Sequence, residues 1–350
     1  MSHWAEQTRA KARASLRPFD GSVVALVESP AQLLNTIEWA TADHGRQDGL
    51  VVVVLAPQES TARFQLHRLT EMATRQGFTV HWQEARRGRS ARAKVLTQVA
   101  PVVRRARRVV VGDPFSRMIQ SLLAGAPVAE VVLVDDGSST MHFVECWRER
   151  RPIVRWHRTE VTAADRALGA RFRRTLSSAR LSLFTVMPVE DPRIEIEHNE
   201  YAWTHAQHLP PHIDRGADLV GTSLVETGVV DLDHYIAAVQ RLAEQYDVVR
   251  YYAHRRESRQ KLRSIAALGL HVVTPDLPME LLARIGPIGE RIITFPSTLV
   301  HTLPRVLADT EVEIVVIEVE PEWLSEAASG DSEAFLSAVT ATARTVGRTD

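Results

Sequence analysis

The sequence has very little cysteine. One cysteine, Cys146, stands among 350 residues. A single thiol excludes a disulfide framework and a cysteine-based zinc site, and it fits a reducing compartment. No apolar run approaches the roughly 20 residues that span a bilayer, and the opening segment, MSHWAEQTRAKARASLRPFDG, is polar and charged, unlike a signal peptide. These absences predict a cytoplasmic protein.

Several common nucleotide-binding and catalytic motifs are absent as well. No G-x-G-x-x-G follows the first predicted strand, which disfavours an ordinary dinucleotide dehydrogenase, and no G-x-x-x-x-G-K-[ST] indicates a P-loop NTPase. H-E-x-x-H, G-x-S-x-G and Cys/His ligand clusters are also missing, and the 14 histidines are scattered. The candidate chemistry must therefore lie outside these motifs.

Length and composition are those of a globular protein with room for two domains, since 45% of the residues are hydrophobic and 24% are charged. The net charge of −1 hides an asymmetry. Residues 1–200 carry 29 Lys and Arg against 22 Asp and Glu, a net charge of +7, whereas the remaining 150 residues carry 13 against 21, a net charge of −8. The basic half predicts either solvated helix faces or a surface for something anionic, such as lipid headgroups, an acidic glycan or nucleic acid. Aromatic residues are sparse near these arginines, which disfavours a stacking platform for single-stranded nucleic acid.

Apolar strands alternate with helical segments along the chain. In the first half, runs such as GLVVVVLAP and EVVLVDDG are continuous rather than alternating, which predicts strands covered on both faces in a parallel sheet. A second series of the same kind starts near Ala217 and ends with VEIVVIEV, followed by a predicted C-terminal helix, DSEAFLSAVTATARTVGR. We therefore predict an α/β fold with two doubly wound, Rossmann-type domains, residues 1–200 and 201–350, across a cleft. Residues 150–200 are predicted to be an irregular covering segment and linker.

Ligands of open parallel sheets bind at the carboxyl ends of the strands, so the residues that follow each strand are the candidates. In the first half, Asp135 and Asp136 follow a buried strand and precede Gly137, which permits a tight turn. Ser138 or Ser139 can cap the next helix. Two adjacent carboxylates exceed the needs of one cap, and a buried member of the pair would have the raised pKa of a general base.

In the second half, the candidates follow three strands. His254 ends a strand beside Arg255, and Glu280 enters a helix, where the plain interpretation is a first-turn acid favoured by the helix dipole. Ser297 and Thr298 stand between a strand and a helix. They either only cap that helix, or they hold a phosphate together with its free N–H groups.

These residues carry a resemblance to a known family. Asp-Asp-Gly, a histidine ending a strand, and Ser-Thr resemble the (D/E)(D/E)G, HP and S(S/T) motifs of bacterial sialyltransferases with GT-B architecture. The segments VESPAQLLNTIEWA and YYAHRRE also look like those of the lipooligosaccharide sialyltransferase and capsular polysialyltransferase families. The resemblance runs from about Val23 to Thr302, and it implies a GT-B-like fold.

The resemblance implies a role for each matching residue. Asp135 resembles the general base that takes the proton of the acceptor hydroxyl, with Asp136 supporting it. His254 resembles the histidine that contacts the phosphate of the CMP leaving group as acid or electrostatic stabiliser, and Ser297 and Thr298 resemble the pair that bonds the same phosphate. A cationic histidine, two hydroxyls and a helix N-terminus could stabilise the leaving phosphate, so no metal and no cofactor is expected.

Further residues complete the expected site. Glu280 resembles an acid that binds the ribose hydroxyls of CMP. The HP motif is His254-Arg255 here, with Ala253 before the histidine, so Arg255 adds a charge that can contact phosphate or acceptor. Gln32 and Asn35, at the first strand–helix junction, either meet the acceptor or donor sugar or lie on the helix surface.

The resulting prediction is an inverting, metal-independent transferase that moves sialic acid, or a related nonulosonic acid, from a CMP-sugar to a glycan hydroxyl. The C-terminal domain would bind CMP, and the N-terminal domain would face the acceptor, an acidic or lipid-linked glycan at the inner membrane surface. A transferase for another nucleotide-sugar and a catalytically silent α/β protein that binds nucleotide or glycan are the alternatives, and nucleic-acid binding is a weaker one.

Overall fold

The computed structural model describes residues 22–43, 46–135, 137–155 and 161–325. The chain divides into two compact units between Asn199 and Glu200. Each unit is built on a parallel sheet whose strands alternate with helices along the chain. This confirms the predicted α/β fold with two doubly wound sheets. The predicted C-terminal helix lies outside the described residues.

The first unit contains a sheet of seven described strands in the order β3-β2-β1-β4-β5-β6-β7, with every neighbouring pair parallel. The strand order reverses direction between β1 and β4, which is the switch point where such sheets bind ligands. The strands are β1 (Val23–Val27), β2 (Leu50–Leu55), β3 (Thr79–Gln83), β4 (Arg108–Val111), β5 (Glu130–Val134), β6 (Arg180–Thr185) and β7 (Glu195–His198).

The helices of the first unit begin at residues that satisfy their free N–H groups. Ser29 caps α1 by accepting from Gln32 N at 3.3 Å, and Pro30 occupies the first helical position, where its missing N–H costs nothing. The helices are α1 (Pro30–Thr41), α2 (Ser60–Arg75), α3 (Arg89–Arg105), α4 (Arg117–Leu123), α5 (Ser138–Arg148) and α6 (Ala163–Ser178).

The prediction of an irregular segment over residues 150–200 is wrong. This stretch contains α6 and the strands β6 and β7, which extend the first sheet. A signal for the helix was present, because Thr162 and Asp165 form a capping box at its start. The strand β7 is an edge strand of sequence EIEH with two exposed ends, so it lacks the apolar run by which the other strands are recognised.

The second unit contains a sheet of five described strands in the order β10-β9-β8-β11-β12, again all parallel, with its switch point between β8 and β11. The strands are β8 (Ile213–Val220), β9 (Val248–Tyr252), β10 (His271–Val273), β11 (Ile288–Thr294) and β12 (Glu313–Val316). The helices are α7 (Ala202–Gln207), α8 (Leu232–Tyr246), α9 (Arg259–Ala267), α10 (Met279–Ile285) and α11 (Leu299–Val306), followed by a 3₁₀ turn at Pro321–Trp323.

The central strands are buried on both faces, as their continuous apolar runs predict. In β1 each of the five residues is buried, and four of them have no exposed surface. Burying one such side chain stabilises the fold by roughly 1.5–3 kcal/mol. The carboxyl ends of these strands are therefore held rigidly, and side chains that follow them are fixed in place.

Candidate functional site

Asp135 follows β5 and is 2% exposed. Its Oδ1 accepts hydrogen bonds from the Thr140 hydroxyl at 2.6 Å and from Gly137 N at 3.1 Å. Its Oδ2 accepts from the Thr185 hydroxyl at 2.9 Å and from Val186 N at 3.2 Å. The carboxylate thus ties the end of β5 to the start of α5 and to the end of β6.

Burial raises the pKa of Asp135, and the hydrogen bonds from its two threonine partners act in the opposite direction. The raised pKa agrees with the expectation from sequence, but the position does not suit direct contact with an acceptor hydroxyl. A base must reach the proton that it takes, and both oxygens of Asp135 are buried and occupied. The neighbouring Asp136 lies outside the described residues.

Gly137 occupies the N-cap position of α5 with φ of 70°, a left-handed conformation that glycine adopts without strain. Gly137 has no side chain to donate or accept, and α5 has no side-chain cap. The predicted capping by Ser138 or Ser139 is therefore wrong, because both serines are already inside the helix.

Gln32 and Asn35 are buried on α1, at 2% and 5% exposure, so the helix-surface interpretation is wrong for both. Gln32 Oε1 accepts from Glu28 N at 2.7 Å. Asn35 Nδ2 donates to the carbonyl of Asp135 at 2.9 Å, and its Oδ1 accepts from Asn199 Nδ2 at 3.1 Å. These side chains hold the ends of β1 and β5 against α1, and their predicted contact with sugar stays a prediction.

His254 follows β9 in the second unit. Its backbone N–H donates to Glu257 Oε2 at 2.7 Å, and its Nδ1 accepts from Arg256 N at 3.2 Å, which leaves the ring proton on Nε2. Burial lowers the pKa of His254 to about 4, and the positive charges of Arg255, Arg256 and Lys261 add to this effect. In the unliganded protein the imidazole is therefore neutral at pH 7, and the cationic histidine expected beside the leaving phosphate stays a prediction.

A buried lysine supports the loop that carries His254. The side chains of Lys261 and Glu257 have no exposed surface, and Lys261 Nζ lies 2.7 Å from Glu257 Oε1. The same ammonium donates to the carbonyl of Thr222 at 2.7 Å and lies 3.8 Å from the ring centroid of Tyr235. Glu226 Oε2 lies 3.6 Å away. Since Glu257 also accepts a hydrogen bond from the backbone N–H of His254, this buried charged cluster holds the His254 loop in place.

The end of β8 fits against the same cluster. The Tyr251 hydroxyl donates to Glu257 Oε1 and lies 2.8 Å from the hydroxyl of Tyr235. At Gly221, directly after β8, a Cβ atom would overlap the Tyr251 hydroxyl and lie 2.7 Å from Glu257 Oε2. A glycine is required here because these polar groups approach its backbone closely.

The segment after β11 bears Ser297 and Thr298. Ser297 lies one residue before the N-cap of α11, and its hydroxyl accepts from Leu299 N, the first N–H of the helix, at 3.3 Å. Thr298 holds the N-cap position in a right-handed helical conformation and makes no side-chain cap. Among the described residues its hydroxyl has no hydrogen-bond partner. The hydrogen bond to Leu299 N therefore gives the Ser297 hydroxyl a structural role, whereas the Thr298 hydroxyl is left for another role.

Glu280 is 7% exposed in the first turn of α10, as predicted for an acid favoured by the helix dipole. Its Oε1 accepts from the Thr302 hydroxyl on α11 at 3.1 Å. This bond brings Glu280 next to the helix that starts after Ser297 and Thr298. Its predicted contact with ribose stays a prediction.

The strand order decides which candidates come together. His254 follows β9 and Ser297 follows β11, and both strands flank β8. With strands about 4.8 Å apart, the two strand ends lie roughly 10 Å from each other on one edge of the sheet. Arg255, beside His254, is exposed. The second unit thus gathers these residues and Thr298 at its switch point, where ligands of such sheets bind.

Sequence reasoning missed Lys261 and two buried acids in the first unit. Glu28 follows β1 and Asp113 follows β4, so the strand-end rule would have found both. Lys261 stands four residues after Glu257 across the start of α9, the spacing of a helical ion pair. Neither the burial of this pair nor its link to His254 can be read from that spacing.

Among the described residues, no group of three or more His, Cys, Asp or Glu side chains could hold a metal ion. Within the same part of the chain, each helix is too short or too polar to cross a membrane.

Comparison with known proteins gives a likeness of fold. No protein-family profile matches the chain, and no curated protein matches its sequence. Among solved structures, the chain is similar to an α/β-galactoside α-2,3-sialyltransferase from Photobacterium phosphoreum, with 9% identity, a TM-score of 0.53, and 93% of this chain and 96% of that chain covered. It is also similar to a protein from Listeria monocytogenes described as a UDP-N-acetylglucosamine 2-epimerase, with 10% identity, a TM-score of 0.51, and 93% and 90% covered. At such identities the similarity establishes a shared two-domain α/β fold.

Proposed function

We propose that this protein is an inverting, metal-independent glycosyltransferase that transfers sialic acid, or a related nonulosonic acid, from a CMP-sugar to a glycan hydroxyl. The observation that carries the proposal is a pair of polar groups at the switch point of the second sheet that make no hydrogen bond to the described residues. His254 presents an Nε2–H and Thr298 a hydroxyl, and neither has a partner among the described residues. The motif resemblance and the fold shared with a sialyltransferase support the same function.

In this proposal the second unit stabilises the leaving phosphate. As the bond between sugar and phosphate breaks, negative charge grows on the phosphate oxygens, and donors aimed at them lower the barrier. The neutral His254 donates from Nε2, and an approaching phosphate raises the pKa of the imidazole, so that the ring can also supply the proton. Thr298 donates its hydroxyl, Arg255 adds positive charge, and Glu280 accepts from the ribose hydroxyls.

The first unit supplies the base. Asp135 has both oxygens committed to four donors, so we assign it as a positioning residue that holds the turn after β5. Asp136, the next carboxylate, then takes the proton from the acceptor hydroxyl. This exchanges the roles that the resemblance implies for the two residues.

The test is calorimetric titration of CMP, CDP, UDP and NAD into the wild type and into His254→Asn. We expect CMP to bind, and the substitution to weaken it by about 1.5–3 kcal/mol, the usual value of a hydrogen bond to a charged group. The matched control is His271→Asn, because His271 is exposed at the start of β10. Tighter binding of UDP than of CMP would move the proposal to another nucleotide-sugar. Absence of any nucleotide binding would favour a catalytically silent α/β protein.

A further inference from the structure

A cavity of about 350 Å³ lies at the carboxyl edge of the first sheet, beside the switch point between β1 and β4. Its volume is at the small end of the range for ligand pockets, about 300–1,000 Å³, which suits one or two sugar rings. Its charged lining residues are two acids, Glu28 and Asp165, and four arginines, Arg86, Arg92, Arg117 and Arg155.

Three of the arginines are each anchored by a buried acid. The pairs are Arg86–Glu28 at 2.8 Å, Arg117–Asp165 at 3.1 Å, and Arg155–Asp113. The acids are at most 5% exposed in their side chains, whereas the arginine side chains are 40–46% exposed. A guanidinium has five N–H donors in a rigid fork. Each arginine is therefore fixed through part of its fork and retains donors for a ligand.

The fourth arginine, Arg92, changes the charge balance. It lies on α3 and is half-buried, and it has no ion-pair partner among the described residues. Three acids offset three arginines, so Arg92 leaves the cavity with one uncompensated positive charge. Burial raises the pKa of Glu28 and of Asp113, in both cases against the opposing effect of the paired arginine.

The remaining wall suits a sugar ring. Glu28 Oε1 accepts from the Ser116 hydroxyl at 2.8 Å and Glu28 Oε2 accepts from Arg86 at 2.8 Å. Each oxygen of Glu28 therefore has one donor, unlike the two donors on each oxygen of Asp135, and can accept a second hydrogen bond from a ligand hydroxyl. Phe115 and Met118 provide apolar surface on the same cavity. A neutral sugar would leave the positive charge unmatched, and a simple anion would leave the carboxylate and apolar groups unused.

We propose that this cavity binds a sugar acid, with its carboxylate at Arg92 and the free donors of the anchored arginines, and its hydroxyls at Glu28 and Ser116. The inference deepens the proposed function and rests on it for the biological role of the ligand. β5, which carries Asp135 at its end, is the neighbour of β4, about 4.8 Å away. The sugar acid is therefore a part of the acceptor glycan.

The experiment titrates D-galacturonic acid, D-galactose and D-galactose 6-phosphate, observed by NMR, into the full chain and two variants. We expect galacturonic acid to bind about tenfold or more tightly than galactose, as a charge-assisted contact requires. Arg92→Gln should remove this preference. Arg104→Gln is the matched control, since Arg104 is exposed on the same helix and outside the cavity, and it should leave the preference within twofold of the wild type.

Several results would overturn the inference. Equal binding of the acid and the neutral sugar, absence of binding by all three, or equal effects of the two substitutions would each remove the sugar-acid site. Tighter binding of the phosphate ester would replace the sugar acid with a phosphorylated sugar. CMP titration of the same samples separates this inference from the proposed function. Bound CMP without sugar-acid binding would contradict the cavity assignment alone, and Arg92-dependent binding of the acid without CMP binding would contradict the transferase alone.

Discussion

Replacing the buried Lys261 by methionine should destabilise the second unit by about 3–5 kcal/mol. Methionine fills a similar volume but removes the ammonium that lies 2.7 Å from Glu257 Oε1 and 3.6 Å from Glu226 Oε2. Removing one partner of a buried ion pair costs about this much, because the other charge stays buried without compensation. The expected loss of stability thus comes from the Glu257 carboxylate, which stays buried without its partner.

The pH dependence of this loss gives a sharper signature. Burial already raises the pKa of Glu257, and Lys261 opposes that effect. In Lys261→Met the pKa rises further, so the folded state binds a proton that the unfolded state releases. The free energy of unfolding of the variant must then fall as pH rises from the pKa of Glu257 in the unfolded state to its higher pKa in the folded state, by up to about 1.4 kcal/mol per pH unit. The cost of the substitution should be smaller at pH 5 than at pH 8.

Hydrogen exchange of peptides from β9 and α9 measures this change without interference from the first unit. Lys94→Met is the matched control, since Lys94 is exposed on α3, and its effect should stay within about 0.5 kcal/mol. The double variant with Glu257→Gln should regain a large part of the loss. A cost below about 1 kcal/mol for Lys261→Met, or one that is independent of pH, would refute the electrostatic argument.

Three other predictions test the strand ends. Folding lowers the pKa of His254 from 6.5 to about 4, so the unfolded state binds the extra proton and the free energy of unfolding falls as pH drops from 6.5 to 4. His254→Asn should flatten this pH dependence in hydrogen exchange. An unchanged pH dependence would contradict the buried neutral imidazole. Asp135→Asn should lower the free energy of unfolding in urea by about 1–3 kcal/mol, because the new amide N–H groups would face hydrogen-bond donors. Asp136→Asn should instead chiefly abolish sugar transfer. The reverse pattern would restore Asp135 as the base. Gly221→Ala should cost about 1–3 kcal/mol through overlap with the Tyr251 hydroxyl, and a change within 0.5 kcal/mol would mean that the tyrosine can move aside.

The sequence determined the two parallel sheets and the location of the candidate residues. Continuous apolar runs such as Val131 to Val134 are stable only when both faces are covered, so they specify parallel strands without knowledge of their partners. The same reasoning places His254 and Ser297 at strand ends. It failed for β7, whose polar sequence suits an edge and differs little from that of a loop.

The tertiary structure decided what each candidate side chain can do. Whether Asp135 is accessible depends on hydroxyls 5 and 50 residues away in the chain, and the charge of His254 depends on burial and on the cations around it. Electrostatic energy and desolvation are set by distances in space, and sequence spacing reveals these only within one helix or turn. For that reason the cavity lined by Arg92 and Glu28, residues far apart in sequence, appears only after the strands are ordered.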